Sequence, residues 1–147
     1  MIPGSEKFLT LDANVFVAAL KADEPYSGEC SGILSRVPGG FVLVEPSIVY
    51  VEVLGTLARR VGVELAERAK AELDRMVNPL LTVPCNREFC LRAYTLCHEY
   101  DIYAVDSLYL ETALQAESTL VSLDKEDFVD RVKLKSPPIE VLHVSEF

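Results

Sequence analysis

The chain has 147 residues, 50% of them apolar and 25% charged, and a net charge of −9. A chain of this length buries roughly 70% of its unfolded surface around one core, and its composition excludes a disordered or fibrous protein. The acidic balance argues against a protein that coats nucleic acid through bulk electrostatics and suits a basic protein partner.

Residues Met1 to Lys7 lack the basic start and apolar stretch of a secretion signal. No apolar run approaches the ~20 residues of a membrane span, so a cytoplasmic protein with no membrane contact is expected. A first strand is predicted at Phe8 to Leu11, closed by Asp12, with helices following at Ala13 to Ala22 and Tyr26 to Val37. A second strand falls at Phe41 to Val44. Pro46 to Arg60 then reads as a helix, because Ile48, Val51, Leu54 and Leu57 recur every three residues and Val49 and Val53 are four apart. Glu52 interrupts that apolar stripe one to two turns in. Helices at Val63 to Val77, Arg87 to Tyr100, Ala104 to Ala116 and Lys125 to Arg131 alternate with strands at Leu80 to Val83, Thr119 to Ser122 and Ile139 to Val144. With no repeat and no composition break, one domain over residues 1–147 is expected. Alternating strands and helices imply an α/β fold whose central parallel sheet, of about five strands, is covered on both faces.

The four cysteines, Cys30, Cys85, Cys90 and Cys97, have irregular gaps and no Cys-x2-Cys pair, unlike a structural zinc site. Cys90 and Cys97 lie a heptad apart on a predicted helix and read as small buried hydrophobes on one face.

In an open parallel sheet, ligands gather at the carboxyl ends of the strands. Asp12 ends the first strand and Asp124 the strand at Thr119 to Ser122, while Asp106 and Glu52 sit near the starts of helices. Each has a structural alternative: Asp12 or Asp124 as a helix cap, Asp106 as an acid favoured by the helix dipole, Glu52 as a solvated outer-face residue. Together, the four acids can meet at one edge of the sheet. Clustered carboxylates repel one another unless a cation sits among them, and oxygen-only ligands select a hard ion such as Mg²⁺ or Mn²⁺. Such ions activate water and stabilise the charge that develops in phosphodiester cleavage.

Leu11-Asp12-Ala13-Asn14-Val15, Glu52 in an apolar helix followed by Arg59, Tyr103-Ala104-Val105-Asp106-Ser107-Leu108-Tyr109 and Leu120-Val121-Ser122-Leu123-Asp124-Lys125 resemble the ordered acidic motifs of PIN domains. The resemblance covers nearly the whole chain. It implies a PIN-like sheet, a Mg²⁺- or Mn²⁺-dependent endoribonuclease, and catalytic metal ligands at Asp12, Glu52, Asp106 and Asp124. Asn14 and Ser122 stand where the family also uses small polar residues, and would orient carboxylates or water; Asn14 alternatively caps the first helix. Asp127 would add a ligand if the segment after Asp124 turns helically. So compact a chain is similar to the VapC-type toxins of toxin–antitoxin pairs, which implies a homodimer blocked by a small antitoxin with a basic segment.

Arg36, Arg59, Arg60, Arg131, Lys133 and Lys135 are candidates for RNA contact, each with an ordinary solvated charge as its alternative. His98 and His143 are isolated from the acidic motifs and read as structural or exposed. Three rival readings remain. One is an aspartyl-phosphate phosphotransferase, disfavoured because Asn14 stands where that chemistry wants a second Asp; the others are an RNA-processing nuclease outside toxin–antitoxin systems and a catalytically silent PIN binding module.

Overall fold

A computed structural model describes residues 7–147; the predicted absence of a secretion signal falls largely on residues 1–6, outside the described residues. Strands β1 (Phe8–Leu11), β2 (Val42–Leu43), β5 (Thr119–Ser122) and β6 (Val141–His143) form one sheet in the order β2-β1-β5-β6, and every pairing in it is parallel. Leu9, Thr10, Leu11, Leu120, Val121 and Ser122 are all buried, as expected of parallel strands covered on both sides.

Among the described residues seven α-helices surround the sheet: α1 (Ala13–Leu20), α2 (Ser27–Leu34), α3 (Val49–Arg60), α4 (Val63–Met76), α5 (Arg87–Tyr100), α6 (Ala104–Ala116) and α7 (Asp130–Lys133). Helices α1 and α6 pack directly against it.

The central parallel sheet, expected to have about five strands, has four, and a separate parallel pair joins β3 (Glu45–Pro46) with β4 (Thr82–Val83). The predicted strand at Leu80 to Val83 begins as a 3-10 turn over Pro79–Leu81. There the Asn78 side chain accepts from the Leu80 amide, leaving only Thr82 and Val83 to pair.

Glu45 and Pro46 being strand, α3 starts at Val49 rather than Pro46, and Glu52 lies in its first turn. The buried stripe of α3 is Val49, Val53 and Leu57, whereas Val51 is exposed. Three apolar residues four apart already cover the core-facing side, so Val51 is left on the solvent side.

Helix α5 corrects the reading of the cysteines. Its buried stripe is Phe89, Ala93, Leu96 and Tyr100. Cys90 is exposed and Cys97 half-buried, and no disulfide forms among the described residues.

Candidate active site

The chain leaves β1 toward β2 on one side and reaches β5 on the other, which makes the crevice beyond the carboxyl ends of β1 and β5 a topological switch point. Asp12 follows β1 there, its amide extending the ladder to the Val121 carbonyl at 3.0 Å. Although it occupies the N-cap of α1, Asp12 makes no side-chain capping bond. Its carboxylate turns inward instead. Ser122 Oγ donates to Asp12 Oδ2 at 2.7 Å and Asn14 Nδ2 approaches the same oxygen at 3.3 Å.

Asn14 lies within α1, not at its cap. Its Oδ1 accepts from the Leu123 amide at 3.1 Å, and Ser122 Oγ accepts from the Asp124 amide at 3.0 Å. Two small polar residues therefore tie the ends of β1 and β5 together and aim one carboxylate. Asp124 does cap: it accepts from the Asp127 amide at 3.1 Å and starts a π-helical turn over Lys125–Val129.

Asp12, Asn14, Glu52 and Asp106 line one cleft of about 550 Å³, together with Glu24, Tyr26, Thr56 and Arg60 from α3 and the segment before α2. Asp124 stands close enough to raise the proton affinity of both Asp12 and Asp106. Burial, then the charges of Glu52 and Asp124, push Asp12 up to about 7 against the lowering bond from Ser122. Asp106 is likewise pushed up to about 7, by burial and then by Asp12, Asp124, Glu52 and Asp127. A carboxylate cluster that holds protons near neutrality is one in which a cation would replace them.

Tyr109 anchors Glu52. Its hydroxyl donates to Glu52 Oε1 at 2.7 Å, and burial followed by the nearby acids raises the phenol far above its usual range, so it acts as a donor.

Every prospective donor here is a carboxylate or neutral oxygen, which suits a hard divalent cation rather than zinc. Among the described residues, no group of three or more Asp, Glu, His or Cys side chains is placed so that it could hold a metal ion. Asp127 gives one oxygen to Arg131 Nη2 at 3.0 Å, so that carboxylate is already partly neutralised.

Sequence reasoning passed over Glu45. It is fully buried beneath the end of β1, where Oε1 accepts from the Leu11 amide at 2.6 Å and Oε2 has no partner among the described residues. Burial, and secondarily the charge of Asp12, raises its carboxyl well above the usual range and favours the neutral acid. Its one sequence signal was an acid between Val44 and Pro46 in an apolar run; pairing of β3 with β4 draws it inside.

Among the basic candidates, Arg131 bridges Asp127 and Asp101, Lys133 pairs with Glu146, and Arg36 lies over the Phe41 and Phe147 rings. Arg60 alone of the six lines the cleft. His98 is exposed, and His143 is buried where it caps a C-terminal turn through Ser145.

The family model described as PIN domain matches residues 9–134. Solved structures with the same fold include VapC20 of Mycobacterium tuberculosis, a sarcin-ricin loop cleaving toxin, at TM-score 0.67 and 17% identity over 82% of this chain and 92% of that one. VapBC2 of Rickettsia felis, bound to a DNA fragment from its promoter, matches at TM-score 0.68 and 15% identity over 92% and 98%. FitAcB of Neisseria gonorrhoeae matches at TM-score 0.64 and 17% identity over 95% and 99%. No curated protein matches the chain. No helix among the described residues is long and apolar enough to cross a membrane.

Proposed function

This chain belongs to the PIN domain family, and we propose that within it the protein is a Mg²⁺- or Mn²⁺-dependent endoribonuclease, the toxin of a toxin–antitoxin pair. What supports the reading is that Asp12, Glu52 and Asp106, from three separate segments, line one cleft, with Asp124 from a fourth near enough for its charge to raise both Asp12 and Asp106. The cation, when bound, supplies an activated water and neutralises charge on the scissile phosphate.

The chain's own groups prepare that chemistry. Asp12, Glu52, Asp106 and Asp124 would hold the ion. Ser122 and Asn14 fix the orientation of Asp12, and Tyr109 fixes Glu52, so these carboxylates need little reorganisation when a cation arrives. Among the described residues no histidine lines the cleft, so the acids themselves would be the groups there able to take up a proton from the attacking water.

The toxin assignment draws on neighbours that were solved as toxins or as toxin–antitoxin complexes. An acidic cleft in a chain of net charge −9 suits inhibition by the basic segment of a small antitoxin. A homodimer and a cytoplasmic location complete the proposal.

The reading is tested by incubating purified protein with RNA. Cleavage is expected with Mg²⁺ or Mn²⁺ and none after chelation by EDTA; cleavage that survives thorough metal stripping overturns the mechanism. The cysteines take no part. Cys85, Cys90 and Cys97 lie outside the cleft, so their combined replacement by Ser should leave cleavage intact and move the melting temperature by only a few degrees. A folded triple variant without metal-dependent activity would contradict this.

A further inference from the structure

Glu52, Thr56 and Arg60 are four residues apart on α3, and all three line the cleft. At 1.5 Å per residue the row runs about 12 Å, from the acids at one end to a guanidinium at the other. Arg60 is exposed and makes no ion pair among the described residues. Among the described residues it is also the one Lys or Arg lining the cleft.

Tyr26 lines the same cleft from the segment before α2. The residue is 46% exposed, and the His143 ring braces its ring edge-on at 5.1 Å. Its backbone lies in the left-handed region at φ 63°, which L side chains other than Asn and Asp rarely adopt. Glu24 beside it is paired with Lys21 at 3.3 Å, which lessens its repulsion of an anion.

We propose that this end of the cleft is a subsite for single-stranded RNA, in which Arg60 holds a backbone phosphate and Tyr26 stacks a base. The inference rests on the ribonuclease reading and says how the substrate strand is laid toward the acids. Chemistry divides the cleft between two classes of ligand. A basic protein segment is attracted to the carboxylates and repelled by Arg60, whereas a polyanion with flat bases matches a guanidinium and an exposed ring. Stacking tolerates any base, so the subsite contributes affinity and register more than sequence preference.

The test is fluorescence anisotropy of a labelled single-stranded RNA of mixed sequence, in EDTA and low salt so that no turnover occurs, for the intact protein and four variants. Arg60→Gln should weaken binding for every RNA sequence tried and reduce the slope of log affinity against log salt by about 0.7, the loss of one phosphate contact. Tyr26→Ala should weaken binding about tenfold and Tyr26→Phe should leave it unchanged. Tyr26→Gly should weaken binding as much as Ala while melting higher than the Ala variant, because both lack the ring and glycine adopts positive φ without steric cost. Equal binding loss at unequal stability distinguishes a lost platform from a damaged fold.

RNA affinity and salt slope that Arg60→Gln and Tyr26→Ala leave untouched would overturn the subsite, and so would absence of RNA binding by the wild type. Unchanged RNA binding with lost affinity for a lysine- and arginine-rich peptide would assign the surface to a protein partner and equally overturn it. The ribonuclease reading fails separately, through absence of cleavage with Mg²⁺ and Mn²⁺. RNA binding that depends on Tyr26 and Arg60 supports the subsite even then.

Discussion

Asp106→Asn is expected to lower RNA cleavage by about two to three orders of magnitude while stabilising the metal-free protein. The substitution is nearly isosteric, so the packing of α6 is kept, but it removes an anionic oxygen from the acidic cluster. Loss of a few kcal/mol of charge stabilisation at the scissile phosphate corresponds to that drop, since about 1.4 kcal/mol is tenfold in rate.

The stability change follows from the surroundings of Asp106. Burial and four neighbouring acids push its carboxyl from 3.8 to about 7, so its charged form is disfavoured in the fold. Removing that charge should stabilise the metal-free protein near neutral pH by about 1–2 kcal/mol, after allowing for screening at a partly exposed site. The helix dipole acts in the opposite sense. Asp106 lies in the first turn of α6, where a negative charge gains about 0.3–1 kcal/mol. Were it only a first-turn acid, Asn would destabilise the protein and leave cleavage untouched. Melting without metal, calorimetric Mg²⁺ or Mn²⁺ affinity and cleavage, measured on one preparation, separate the two roles; wild-type cleavage and unchanged metal affinity would remove Asp106 from the site.

The metal-free protein is also expected to lose stability as pH rises from about 4 to 7, unlike a protein whose carboxylates are salt-bridged. Asp12 and Asp106 have folded values raised from 3.8 to about 7. Their stabilising contribution is therefore complete below 3.8, where both states are protonated, and is lost as pH climbs to the folded value. For the buried Asp12 the span from 3.8 to about 7 corresponds to about 4 kcal/mol at about 1.4 kcal/mol per pH unit. The charge of Asp12 is one of the causes that raise Asp106, so the two contributions do not add. In a protein of this size about 4 kcal/mol moves the melting temperature by roughly 10 °C.

A bound divalent cation reverses the dependence, because it requires the ionised carboxylates and releases their protons. Thermal melts of EDTA-treated protein at pH 5 and pH 7.5 check the sign. The higher melting temperature is expected at pH 5, Asp12→Asn should flatten the difference, and Mg²⁺ or Mn²⁺ should restore stability at pH 7.5. A melting temperature that rises with pH in the metal-free protein would show that the acids are not crowded together as described.

Residue pattern alone located most of the helices and the strands at the ends of which Asp12 and Asp124 sit. Burial on both faces leaves continuous apolar runs in parallel strands, and amphipathic helices repeat at 3.6 residues; both signals are local. The order of the acids along the chain was equally legible, since strand ends and first helical turns are local features. The reach of β3 was not. Pro46 reads as the start of an apolar helix and Glu45 as the residue between that helix and the preceding strand, but they pair with Thr82 and Val83, which are distant in sequence. That pairing shortens α3, puts Glu52 in its first turn and draws Glu45 into the core, where its second oxygen finds no partner among the described residues. The aim of the carboxylates was likewise decided in three dimensions. Asp12 forgoes the cap that its position invites because Ser122, 110 residues away, offers its hydroxyl instead. Which cation faces the cleft depended on competition that sequence spacing does not encode: Arg131 and Lys133 are claimed by Asp127, Asp101 and Glu146, while Arg60 points into the cleft. Local periodicity determines which face of an element is apolar, whereas partners for polar groups are chosen among residues that only the folded chain brings within a few ångströms.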